Sequence, residues 1–243
     1  METEQQLFTG RALRALIIPL VLEQILGLTV GMADSIMVSS AGEAAVSGVS
    51  LVDSINILLV NTFISLSTGG AVVAAHRLGE KKKEAAQKTA DQLLLCVTGI
   101  ALLITVFAVA ANRFLLSAIF GKVDEEVMRN AEIYFYLIAL SFPFMGIYNA
   151  SAALSRAMGD SKITMLISVF MNVVNIVGNA VLILVFHLGV YGVALSTLFS
   201  RVLGALILFG IMRREDRELH YSRRITFAFD KDIIKNIMRI GIP

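Results

Sequence analysis

Charge is scarce in this sequence, and cysteine almost absent. Of 243 residues only 16% are charged, against roughly a quarter in soluble domains. The single Cys96 stands in an apolar run, so neither a disulfide framework nor a cysteine metal cluster can form within the chain. No HExxH zinc motif, G-x-S-x-G elbow or Walker A loop occurs, so intramembrane proteolysis, serine hydrolysis and direct use of ATP are not expected. The three histidines, His76, His187 and His220, fall at or beyond the ends of apolar runs, too scattered for a metal triad. Gly69-Gly70 suits helix packing better than phosphate binding. No pattern suggests nucleic-acid binding, and neither an enzyme nor an organic cofactor is expected.

What is present is apolar length. The chain is 56% hydrophobic with a mean hydropathy of +0.76. Segments of about twenty apolar residues recur, each long enough to span a bilayer. The expected fold is an all-α polytopic membrane protein, a bundle of six transmembrane helices. The spans are read at 15–39, 44–75, 89–111, 130–158, 163–186 and 190–212. The second and fourth exceed the hydrocarbon thickness and should tilt or protrude. The first run is too long for a signal-peptide core and carries Glu23 and Asp34, so it reads as a permanent span.

Loop charges set the orientation. Arg11 and Arg14 precede the first span; Arg77, Lys81, Lys82, Lys83 and Lys88 fill the second loop; Arg156 and Lys162 flank the fourth loop. A basic run follows the sixth span. The opposite side holds Arg113, Lys122 and Arg129 beside Asp124, Glu125 and Glu126. Both termini are therefore expected on the cytoplasmic side, as an even span count requires. Residues 213–231 read as a basic cytoplasmic linker, whose charge serves topology and solubility rather than anionic lipid.

A repeat begins near the end. "RALRALIIP" at 11–19 resembles "KNIMRIGIP" at 235–243. Each is a short basic entry into an apolar run ending Ile-Pro. Transporters often pair two six-span repeats. Residues 1–212 are thus expected to form one lobe of a 6+6 protein, and 232–243 to open the second repeat, whose remainder is the missing C-terminal lobe.

Several polar residues lie inside the spans, where an unpaired charge costs several kcal/mol. In the first span Glu23, Gly27 and Asp34 share one face, with Gly31 about 40° away on a helical wheel. Pro19 can kink the helix below them. In the second span Ser50, Asp53, Ser54, Asn61, Ser65 and Thr68 form a polar stripe, whose hydroxyls are expected to bond across helices. For Asp53, cavity lining and a structural role weigh equally. Asn172, Asn175 and Asn179 share a face of the fifth span and favour a cation or substrate site over helix–helix glue, because buried amides need partners. In the sixth span Arg201 should pair with a neighbouring acid, Glu23 first. Tyr134 and Tyr136 stand where an aromatic belt would be the plain explanation. Asp34, Tyr134, Asn175, Asn179 and Thr197 fall at overlapping depths in the outer half, and their oxygens suit a hard cation such as Na⁺, held at Asp34, Asn175 and Asn179, or a proton on the acid.

Four stretches in order resemble the N-terminal half of the multidrug and toxic compound extrusion (MATE) transporters. These are "IIPLVLEQILGLTVGMADSIMVSSAGEAAVSGV", "GGAVVAAHRLGEKKKEAAQK", "LSRAMGDSKITM", and "NVVNIVGNAVLI" with "LGVYGVALSTLFSR". The resemblance implies a secondary transporter of the cell membrane that exports organic, often cationic, compounds in exchange for Na⁺ or H⁺ by alternating access of two lobes. It implies cation-coupling roles for Asp34, Tyr134, Asn175, Asn179 and Thr197, and a kink at Pro19 linked to the state of Asp34. Many members carry Asp where this chain has Asn179. Glu23 is not carried by the resemblance; it remains, with Asp53, Asn172 and Arg201, a secondary candidate for cavity lining or ion pairing. A lipid-linked precursor flippase and a non-transporting membrane scaffold are the alternatives. Expected partners are membrane lipids, small organic cations and the missing lobe.

Overall fold

The structure is a computed structural model and describes residues 10–222 and 230–241. Arg223, Arg224 and Pro243, which the charge and repeat readings use, lie outside these residues. The described regular elements are all helices: α1 (Gly10–Ser39), α2 (Glu43–Gly79), α3 (Lys83–Ala110), α4 (Asn112–Phe120), α5 (Glu125–Ala157), α6 (Ser161–Asn179), α7 (Gly189–Met212) and α8 (Lys231–Gly241). A π-helical segment, Ala180–Val185, extends α6. Six helices are long and apolar enough to cross a membrane: α1, α2, α3, α5, α6 with its π extension, and α7. At 37 residues, α2 is roughly 55 Å long, well beyond the hydrocarbon core. The short α4, in a loop to which the sequence assigns no element, is an amphipathic turn covering the end of α5.

α5 is the hub, packed against α2, α3 and α7. Its second half is rich in small residues: Gly146, Ala150, Ser151, Ala152, Ala153 and Ser155 are all buried there. Small side chains let helices approach closely where lipid offers no hydrophobic drive. The most apolar stretch of α5 is 67% buried, that of α1 only 6%. α1 is therefore a peripheral helix, held mainly by α6.

α6 and α7 meet through two glycines. A Cβ on Gly178 would collide with the side chain of Ser196, and one on Gly204 with the sulfur of Met171. Ser196 Oγ also donates to the Asn175 carbonyl at 2.7 Å. The π-helical turns directly after Asn179 end in the left-handed residues His187 and Gly189, which reverse the chain into α7.

The chain after α7 folds back onto the bundle, although its charge reads as a linker. Leu219 and Tyr221 are buried, Tyr221 stacks on Phe209 at 5.5 Å, and its hydroxyl shares a 3.0 Å hydrogen bond with Ser151. Arg217 pairs with Asp160 at 2.8 Å, and the Ser222 amide donates to Asp91 at 3.0 Å. α8 then packs against α2. Ser65 Oγ donates to the Gly241 carbonyl at 2.7 Å, and a Cβ on Gly69 would lie 2.5 Å from the Gly241 nitrogen.

Candidate functional site: a charged pocket between α1, α2, α5, α6 and α7

A cavity of about 760 Å³ opens between these helices. Gly27, Gly31 and Asp34 line it from α1, Asp53 and Asn56 from α2, Tyr134 from α5, Asn172 and Asn175 from α6, and Thr197, Ser200 and Arg201 from α7. A Cβ at Gly27 or Gly31 would meet nothing within 4 Å, so these glycines keep one face of α1 open to the cavity.

A hydrogen-bonded chain joins α1, α6 and α7 beside the pocket, with Asp34, Asn175 and Thr197 on its wall and Asn179 behind it. Asn179 Nδ2 donates to Asp34 Oδ1 and, at 3.4 Å, to Asn175 Oδ1. Asn175 Nδ2 donates to Thr197 Oγ1 at 3.1 Å. Asn179 is fully buried, and its own Oδ1 has no hydrogen-bond partner among the described residues. The set thus offers a carboxylate, amide oxygens and a hydroxyl at one place. These are hard oxygen donors, and one of them is free.

A second group sits beside it. Tyr134, only 3% exposed, donates its hydroxyl to Asp53 Oδ1 at 3.1 Å. Arg201 donates to Ser141 Oγ at 2.7 Å and to Asn56 Oδ1 at 3.3 Å.

The aromatic-belt explanation does not hold for Tyr134, which lines the pocket and is buried against Asp53, whereas Tyr136 is exposed. Two expectations are overturned, the second in part. Arg201 does not pair with Glu23. Glu23 stands three turns below Asp34 on α1, roughly 16 Å away, and faces α5 instead. There Arg156 Nη1 lies 3.9 Å from its carboxylate, and Tyr148 donates to it at 3.4 Å. The hydroxyls of the α2 stripe are divided: Ser65 bonds across to Gly241 of α8, as expected, whereas Ser54 and Thr68 donate to carbonyls of their own helix at 2.6 and 2.8 Å. A hydroxyl on a helix finds a local carbonyl one turn back, so it needs no neighbour.

Asp53, left open by its sequence, lines the pocket. Asn172 lines it too, with an unpartnered Nδ2. Pro19 lies buried within α1. Sequence reasoning misses Asn56, Ser141, Ser200, Tyr148 and Arg156 as partners. Asn56 was within reach, since it stands three residues after Asp53 on the same face; Ser141 gives no signal.

The MatE family model matches residues 19–181. Among curated proteins, the chain is 28% identical over 230 residues to the "Uncharacterized transporter YisQ" of Bacillus subtilis, covering 93% of this chain and 50% of that protein. It is 27% identical over 238 residues to the "Probable multidrug resistance protein NorM" of Thermotoga maritima, covering 94% and 49%. The chain spans about half the length of the curated relatives it matches. Among solved structures, a MOP superfamily transporter from Pyrococcus furiosus, described as having a binding pocket of reverse polarity, superposes with a TM-score of 0.86 at 25% identity, over 95% of this chain and 51% of that one. The structure described as MATE in the bent conformation gives 0.86 at 24% identity, over 98% and 53%.

Proposed function

Because the chain belongs to the MatE family, we propose that it is the first six-helix lobe of a secondary transporter, one that exports organic cations across the cytoplasmic membrane in exchange for Na⁺ or H⁺. The observation that carries this reading is the hydrogen-bonded chain Asp34–Asn179–Asn175–Thr197 at the edge of the pocket. Two carboxylates against one guanidinium favour a cationic cargo over the phosphate of a lipid-linked precursor.

Asp34 and Asn179 have two self-consistent arrangements. With the carboxylate charged and the cation absent, the Asn179 amide donates to it. A Na⁺ ion would be held by Asp34 Oδ and by the amide oxygens of Asn175 and Asn179. A proton on Asp34 turns the carboxyl into a donor, and the natural acceptor is Asn179 Oδ1. Either cation neutralises the acid, removes its penalty for leaving water, and changes which neighbours α1 prefers. α1 is the least buried span and carries Pro19, whose missing amide and ring loosen the helix at that point. Cation binding thus biases the equilibrium between access states.

Asp34→Asn tests this. Gradient-driven efflux of a cationic dye from cells or vesicles should be lost while the variant inserts normally. Retained cation-dependent efflux would refute the assignment.

A further inference from the structure

Three charged side chains face the one cavity: Asp34 from α1, Asp53 from α2 and Arg201 from α7. The other titratable group on its wall is the Tyr134 phenol, neutral and donating to Asp53. Arg201 is held by neutral oxygens, those of Ser141 and Asn56. No carboxylate lies within 4.0 Å of its guanidinium among the described residues. It is therefore not locked into an ion pair; its charge is shared across the pocket by both acids. We propose that Arg201 is a fixed counter-charge that sets the number of cations this lobe takes at one, by cancelling one of its two pocket carboxylates.

The pocket holds these charges in a place that penalises imbalance. Unbalanced charge at membrane depth is expensive, so the pocket settles near neutrality. With both acids ionised and Arg201 present, the formal sum is −1, and one monovalent cation closes it. Asp53 already has a phenol donor beside it, whereas Asp34 has only the Asn179 amide. The mobile cation therefore goes to Asp34. Without Arg201 the sum would be −2 and would call for a second cation. Without the Asp53 charge it would be zero, and none would be needed.

This inference rests on the exchange reading above, and its test separates the two. The full-length protein is reconstituted in sealed vesicles with ethidium as the monovalent cargo. The cations moved per ethidium are counted from the cation gradient that nulls a known ethidium gradient, with the membrane potential clamped at zero. Arg201→Gln should raise the count by one, and Asp53→Asn should lower it by one. The double variant should return to the wild-type count. Arg201→Lys, which keeps the charge and changes the shape, should leave it unchanged. A wild-type count in Arg201→Gln, or a double variant that does not return to it, overturns the proposal. If Arg201→Gln does not insert, Asp53→Asn decides alone, and an unchanged count refutes the role. Absence of any gradient-driven export in the wild type would instead sink the exchange reading, and the counter-charge with it. Intact coupling with an invariant count sinks only the counter-charge.

Discussion

Asn179 carries more of the site than any other neutral residue. It is fully buried, bridges Asp34 to Asn175, and keeps one oxygen free. Converting it to a second acid should tighten a metal cation more than a proton. Asn179→Asp is expected to lower the half-saturating Na⁺ concentration by about tenfold, which corresponds to ~1.4 kcal/mol. Dye efflux measured against Na⁺ concentration checks this; an unchanged or weakened Na⁺ dependence would count against Na⁺ held there. At this scale the sequence was readable where periodicity speaks. Asp34, Asn175, Asn179 and Thr197 could be placed on inward faces at matching depth from spacing alone. Which partner each polar group takes was not readable, because that depends on how helices rotate about one another. Glu23 and Arg201 are both intramembrane charges of opposite sign, yet α1 presents Glu23 to Arg156 and Tyr148, a level away from Arg201.

Helix by helix, the close approach of α6 and α7 positions the amides. Gly178→Ala should push Ser196 away and separate Asn175 from Thr197. Overpacking of this kind typically costs about 1–3 kcal/mol. A lowered melting temperature together with weakened cation dependence is the expected result, and an unaffected protein would show that α6 and α7 do not need this contact. On α1 the pair Glu23–Arg156 is partly exposed and 3.9 Å apart. A double-mutant cycle with Glu23→Gln and Arg156→Gln should give a modest coupling, about 1 kcal/mol or less. α8 is anchored outside the spans. Lys88 hydrogen-bonds Asp230 at 2.6 Å and holds its carboxyl below the usual carboxylate range. A lowered folded pKa contributes stability above the unfolded value of about 3.9, and loses it as pH falls through the folded one. Docking of residues 231–241, followed by hydrogen exchange, should thus be insensitive to pH near neutrality and loosen only in strong acid. Loosening near neutral pH would contradict this anchor. The π-helical turns and α4 were illegible beforehand. The first continues an apolar run with no change in composition, and the second is too short to carry a period.

For the molecule as a whole, the apolar runs announce six spans, because a bilayer demands about twenty apolar residues per crossing. The docked segment after α7 was hidden for the opposite reason. Its charge dominates its composition, while its apolar fastening comes from only two buried side chains, Leu219 and Tyr221, beside the polar contacts of Arg217 and Ser222. With only half the length of its relatives matched, the lobe leaves apolar residues of α1 exposed, among them Ile18, Leu28, Met32 and Ile36. If a cation gradient acting at Asp34 drives export, dye efflux from vesicles carrying the full-length protein, with Na⁺ and pH gradients imposed separately, should respond to it. One of the two gradients is expected to accelerate efflux in the wild type, and neither in Asp34→Asn. Equal acceleration in both proteins would contradict that role of Asp34.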